Sequence, residues 1–468
     1  MSTLDRRRFL QRSATLTGGI FLAPSLEGLV HWSRDAAGLD ARRPVRRAYL
    51  GDGGYGPLRE AGQDLDLPDG FTYVVIGTAG TTMSDGNPTP AAHDGMAAFP
   101  MPNGNVRLVR NHEVRFATPE WAGRNLPRRY DAKGGGGTVS LEVRIADGRR
   151  ELVRDFVSLS GTAVNCAGGP TPWGSWLTCE ETTQGPSAGF EKAHGYVFEV
   201  SALAETPVEP VPLKAMGRFV HEAVAVDPRT GIVYETEDMT FSRLRGTPGA
   251  GFYRFIPRNP GVLAEGGRLQ MVAVRGSPNH HTFTLQAERR PLRARWVDID
   301  DPDPARAESD PSAVSRQGFA KGAAVFQRLE GCWFGDGVVL FHATNGGDAG
   351  KGQVWQYRPD DDDDGELTLL FESPGSEVLD HPDNITVSPR GGIVLCEDGD
   401  ADEYLRGLTR DGRIFDFARN RSSPSEFAGA CFSPDGNTLF VNVQGDNRPG
   451  GIPGRTYAIW GPWERGAL

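Results

Sequence analysis

The sequence is poor in the features by which an enzyme is most easily identified. Among 468 residues there are only 5 cysteines. Cys166, Cys179, Cys332, Cys396 and Cys431 include no pair at zinc-knuckle spacing, and their odd number leaves at least one unpaired within the chain. Basic residues are fewer than acidic ones, 50 against 61, and the net charge of −11 argues against a nucleic-acid partner while suiting cation binding. Gly134–Gly137 lacks the lysine and helix pattern of a phosphate-binding loop. No apolar run is long enough to span a bilayer comfortably, so stable membrane insertion is not expected.

Turn formers, by contrast, are abundant: 61 Gly and 34 Pro, spread along the chain rather than gathered in a tract, imply many turns between short strands. The N-terminus is also distinctive. Asp5-Arg6-Arg7-Arg8-Phe9-Leu10-Gln11 precedes a short, weakly apolar stretch from Ala14 to Leu26, the pattern of a twin-arginine export signal. Residues 1–36 are therefore expected to be signal and leader, delivered by the twin-arginine machinery to the periplasm or beyond. Residues 37–468 are expected to form one domain and a monomer.

A sixfold repeat organises that domain. A glycine followed by an alternating aromatic strand recurs as Gly195–Val200, Gly251–Phe255, Gly352–Tyr357, Gly412–Phe417 and Gly454–Trp460, with Gly137–Glu142 a weaker copy. Upstream of each lies a hairpin pattern of strand, Pro/Gly turn and strand, clearest around Asp227–Gly231, Ser388–Gly392 and Ser433–Gly436. Six such units predict an all-β fold, a six-bladed β-propeller, with an insertion at roughly 257–320; five or seven blades and a repetitive β-sandwich are the alternatives.

In an antiparallel hairpin the first strand's start and the second strand's end share one end. The first-strand positions read His93-Asp94, Asn165-Cys166, His221-Glu222, Lys321-Gly322, Asp383-Asn384 and Glu426. The second-strand positions read Asn111-His112-Glu113, Cys179-Glu180-Glu181, Glu235–Asp238, His342–Asn345, Cys396-Glu397-Asp398 and Asn442–Gln444. If the first strands line the axis, these groups meet at one channel mouth, where so many carboxylates need compensating cations. Oxygen donors suit hard cations and a thiolate suits a transition metal. Cys179 is the candidate soft ligand; Cys396 fits either a ligand or a buried thiol, and Cys166 and Cys431 read as core. Asp398-Gly-Asp400-Ala-Asp402 lacks the downstream Gly and Glu of an EF-hand.

Several of these motifs, Asn111-His112-Glu113, Asn165-Cys166-Ala-Gly-Gly169, Cys179-Glu180-Glu181, Gly217–Glu222, Glu235–Met239 and Phe432–Gln444, together with the export signal, resemble the PhoX-type bacterial alkaline phosphatases. The resemblance spans the mature chain. It implies a six-bladed propeller with iron and calcium at its axis that hydrolyses phosphate monoesters outside the cytoplasm. It also implies metal ligands at Glu113, Cys179, Glu180, Glu222, Glu235 and Glu237, to which Asp383 and Glu397 are added as oxygen donors. Asn165, Lys321, His381 and Asn384 are the candidate catalytic residues. One stretch departs: where the family carries Arg-Pro-Glu, this chain reads His381-Pro382-Asp383, and a histidine does not reproduce an arginine's bidentate grip on phosphate. A lactonase or phosphodiesterase on the same fold, and a binding propeller that metals only rigidify, therefore stay open as alternatives.

Overall fold

The protein alternates short Val-, Ile- and Phe-rich strands with tight turns, and each turn has its own chemistry. At Ser433–Gly436 the Ser433 hydroxyl accepts the Thr438 N–H at 3.0 Å, and Gly436, at φ 70°, supplies the left-handed conformation that closes the reversal. The structure, a computed structural model, describes residue 51 and residues 53–118, 126–360, 364–446 and 450–468. All its strands belong to the second of two compact units, Tyr49–Leu468. The expected export signal, residues 1–36, lies outside the described residues.

Three strands open this unit: β1 (Leu58–Glu60), β2 (Leu65–Pro68) and β3 (Thr72–Thr78). Blade one follows as β4 (His93–Pro100), β5 (Val106–His112), β6 (Gly136–Ala146) and β7 (Arg149–Thr162). Blade two has three strands, β8 (Asn165–Pro170), β9 (Ser175–Glu180) and β10 (Val197–Ser201). Blade three is β11 (His221–Val226), β12 (Val233–Glu237), β13 (Phe252–Pro257) and β14 (Gly267–Val274). The added strand β15 (Leu292–Asp298) then pairs with β14. Blade four is β16 (Leu329–Gly335), β17 (Val338–Ala343), β18 (Gln353–Pro359) and β19 (Gly365–Glu372). Blade five is β20 (Pro382–Val387), β21 (Ile393–Glu397), β22 (Tyr404–Leu408) and β23 (Ile414–Asn420), extended outward by β2 and β1. Blade six is β24 (Phe427–Phe432), β25 (Leu439–Val443) and β26 (Arg455–Trp460), completed by β3 from the start of the unit.

The six first strands β4, β8, β11, β16, β20 and β24 pack in turn on one another, and β24 packs back on β4. The fold is thus a closed six-bladed β-propeller, whose ring leaves only short edges. Apolar clusters join neighbouring blades: Leu108 and Leu141 pack with Phe440 and Cys431 between blades one and six, and Leu177 packs with Val224 and Phe255 between two and three. Each such fully buried Leu, Val or Phe contributes about 1.5–3 kcal/mol. The stretch read as an insertion differs from expectation. It supplies blade three's outermost strand, and β15 also pairs with β19, so blades three and four share one sheet. Only the short helix α1 (Ser315–Ala320) is α-helical among the described residues, and no helix there is long and apolar enough to cross a membrane.

Each first strand carries the same irregularity. In every blade the pairing of first and second strand slips once, leaving two residues opposite one: Asp94-Gly95, Cys166-Ala167, Glu222-Ala223, Glu330-Gly331, Asp383-Asn384 and Gly429-Ala430. A bulge of this kind re-aims a side chain out of the sheet. Below the bulges the channel narrows to a cavity of about 20 Å³ lined by Gly95, Ala167, Trp176, Cys332, Trp333 and Ala430.

Candidate metal centre

The leading residue of the bulge is Asp94, Cys166, Glu222, Glu330 or Asp383 in blades one to five, and Gly429 in blade six. Two residues beyond the one opposite each bulge stand Glu113, Glu181, Asp238, Thr344, Asp398 and Val443. Potential ligands thus come from five bulges and four strand ends, all at one end of the propeller. Blade six adds Glu426 from just before β24, and Gln444, which donates to Glu113 at 2.9 Å and Asp94 at 3.2 Å.

Three overlapping cradles result: Cys166, Glu181 and Glu222; Glu181, Asp238 and Glu330; and Glu222, Glu330 and Asp383, each with ligand atoms within 4.8 Å of one another. The Cys166 thiol lies 2.9 Å from Glu222 Oε2, while Glu222 Oε1 is buried with no hydrogen-bond partner among the described residues. Burial, and then mutual repulsion, raises the carboxyls of Asp94, Glu181, Glu222, Glu330 and Glu426 well above the usual range. Glu113 is raised to about 7 and Asp383 to about 8, again chiefly by burial. The Cys166 thiol is pushed up by burial and by Glu222. Protons or cations must neutralise such a set, and a thiol beside oxygen donors fits a transition metal next to harder ions. The residues therefore fit the iron and calcium that the resemblance implies.

One cation is built in. Arg328 forks onto Asp238, with Nε donating at 2.9 Å and Nη2 at 2.8 Å, and pairs with Glu330 at 2.9 Å. Burial opposes its charge, but Glu330 and Asp238 raise its pKa. Blade four thus brings an arginine to the mouth, which His381 does not supply, in Arg328-Leu329-Glu330. Leu329-Glu330 stands at the first-strand position for which the sequence offered Lys321-Gly322, with Arg328 just before it.

The other expected site residues are distributed as follows. Glu113, Glu222 and Asp383 lie in the ring. Cys179 does not reach the cradles: it sits opposite the Cys166 bulge and turns into the apolar cluster of Leu177, Val197 and Phe219. Glu180 accepts the N–H groups of Ala163, Gly195 and Tyr196 and the His194 ring at 2.6 Å. Glu237 accepts Gly251 N–H and the Tyr253 hydroxyl, both at 2.8 Å. Glu397 accepts Asp380 N–H and Arg406 Nε, also at 2.8 Å. Glu235 is buried inside blade three with His221 Nδ1 3.4 Å away, and burial raises its carboxyl while lowering the imidazole to about 3, so the two are not an ion pair. In each pair Glu180/Glu181, Glu237/Asp238 and Glu397/Asp398, the first residue faces the blade and the second the mouth.

Of the candidate catalytic residues, Asn384 lies in the ring, donating to Asp383 at 2.8 Å and accepting Gly429 N–H. Asn165 is turned inward, donating to the Thr178 hydroxyl and accepting from that of Thr162. Lys321 is held by the Asp298 carbonyl and Asp300 carboxylate, both at 2.7 Å. His381 adopts φ 50° and pairs with Asp380 at 2.9 Å, beside Lys351, and stands outside the three cradles. Sequence reasoning placed Glu181 and Asp238 at the mouth without choosing them as ligands, read Cys166 as core, and did not name Arg328 or Glu330; the bulges pick out Cys166, Glu222 and Glu330.

The profile of the family described as alkaline phosphatase PhoX matches residues 53–447. Pseudomonas fluorescens PhoX in complex with vanadate, a transition state analogue, is similar in structure, with a TM-score of 0.65 and 18% identity over 88% of this chain and 98% of that one. A Xanthomonas campestris gluconolactonase has a TM-score of 0.42 and 13% identity over 86% of this chain and 99% of that one. Agrobacterium tumefaciens regucalcin, a calcium-binding protein, has a TM-score of 0.37 and 10% identity, covering 83% and 96%. No curated protein matches the sequence.

Proposed function

The chain belongs to the alkaline phosphatase PhoX family, and from that premise we propose that it hydrolyses phosphate monoesters at the channel mouth. It is a metal-dependent phosphatase. The observation that carries the finer reading is the set of three overlapping cradles with a thiol at one end and an arginine at the other. Cys166, with Glu181 and Glu222, would hold iron, because a thiolate favours a transition metal. Asp238, Glu330 and Asp383 would hold calcium through oxygen alone. Such metals supply Lewis acidity toward the phosphoryl oxygens and the attacking water.

The chain's own residues supply the rest. Arg328 offers a planar fork that pairs with phosphoryl oxygens as it now pairs with Asp238. Asn384 and Gln444 hold the carboxylates beside them. In the overall step a water oxygen bonds to phosphorus, the ester P–O bond breaks, and the departing alcohol takes up a proton. The arginine-rich N-terminus, Arg6-Arg7-Arg8-Phe9, supports an extracytoplasmic location, which cell fractionation checks directly.

Elemental analysis of exported protein, paired with hydrolysis of an aryl phosphate, tests this reading. Iron and calcium together with turnover are expected. A protein that holds neither metal and leaves the ester intact overturns it.

A further inference from the structure

The phosphoryl site lies at the mouth, above a cavity of only about 20 Å³. The leaving group of an ester bound there would project outward past the ring carboxylates, and an aromatic pair follows two of these carboxylates in the chain, one after Glu113 and one after Asp238. Phe116, three residues after Glu113, is 42% exposed and stacks on Phe190 with ring centroids 4.7 Å apart. Phe241, three residues after Asp238, packs 5.1 Å from Phe283 and 5.4 Å from the exposed His281. The second pair is tied to the phosphate-pairing arginine. Phe241 N–H donates to Gln327 Oε1 at 2.9 Å, and Arg328 N–H donates to the Met239 carbonyl at 3.2 Å.

We propose that these pairs form a leaving-group subsite, so that the preferred substrates are phosphate monoesters of aryl or comparably flat, apolar alcohols. The proposal rests on the phosphatase reading above. Flat rings bind by stacking or edge contact on Phe faces, which a sugar or glycerol does not match. The rival occupant is an anionic group such as a nucleotide, attracted by Arg243 and Arg245 on either side of the fully exposed Leu244. Those arginines lie at the outer tip of the loop, beyond Phe241.

The test compares metal-loaded wild type with Phe116→Ala, Phe241→Ala and the double variant. Binding of phenylphosphonate and methylphosphonate is measured by calorimetry, and kcat/KM is measured on phenyl phosphate, glycerol phosphate and AMP. Wild type is expected to bind phenylphosphonate about tenfold more tightly, and the double variant to lose most of that margin. Its kcat/KM is expected to fall about tenfold on phenyl phosphate and to stay within about twofold on glycerol phosphate. Equal affinity for the two phosphonates, a uniform loss on all three esters, or a loss confined to AMP overturns the subsite. Phe241→Leu, which keeps bulk but removes the ring face, serves if Phe241→Ala does not fold. A wild type that turns over no ester and binds neither phosphonate refutes the phosphatase reading, and the subsite falls with it.

Discussion

Glu180 and Glu181 are neighbours at the end of β9, yet Glu180 is enclosed by backbone N–H groups and His194 while Glu181 faces Cys166, Glu222 and Asp238. Their substitutions should separate cleanly. Glu180→Gln weakens a buried ion pair and is expected to lower stability by about 3 kcal/mol in denaturant unfolding, with metal content retained. Glu181→Gln should instead reduce metal content in elemental analysis and leave unfolding in chelator little changed. The cysteines make a second contrast. Cys166→Ser is expected to abolish iron content, whereas Cys179→Ser should keep it and lose only packing against Leu177 and Phe219. Arg328→Lys keeps the charge but loses the fork, and should lower kcat/KM on an aryl phosphate by about 10²-fold. At this scale the sequence showed which strand ends carry acid but not which of two adjacent acids points inward. The side-chain period is two, so a one-residue error reverses the facing. That single step separates Glu180, Glu237 and Glu397 from Glu181, Asp238 and Asp398.

Among the elements, the bulge at the head of each first strand decides where the ligands point. Blade six has the bulge without the ligand: Gly429 sits at φ 60°, and a Cβ there would stand 2.3 Å from the Asp94 carbonyl oxygen. Gly429→Ala is therefore expected to destabilise the closure between blades six and one by more than the ~1 kcal/mol of the left-handed conformation alone, read as a lower Tm. The hairpins themselves were legible from their Pro/Gly turns and alternating apolar residues, and the order of blades followed. The bulges were not, because one extra residue among polar strand ends leaves the apolar alternation on either side intact. Blade four shows the consequence. The long approach through β15 and α1 obscures where its first strand begins, so Lys321-Gly322 stands in the sequence reading where Leu329-Glu330 stands in the fold.

For the whole molecule, the ring makes stability depend on cations. Without metal, carboxyls such as Glu113 and Asp383, raised to about 7 and about 8, stay protonated in the folded protein at a pH where the unfolded chain has ionised them. The folded state then binds more protons, so stability falls as pH rises, from near the unfolded carboxyl range of about 4 through the folded values. Metal-free protein is expected to melt at a lower temperature at about pH 9 than at about pH 5, and metal-loaded protein to show much less of that slope. Calorimetry across pH with and without chelator measures both. A further consequence follows from the last blade, where β3 pairs with β26 and so joins the two ends of the unit. During synthesis, five blades exist before the sixth can close, and Gln444 cannot support Glu113 until residues 331 apart in the sequence have met. A chain stopped before Arg455 cannot close the ring, and elemental analysis should find it holding fewer ions than the full chain, however much of its ligand set it already carries.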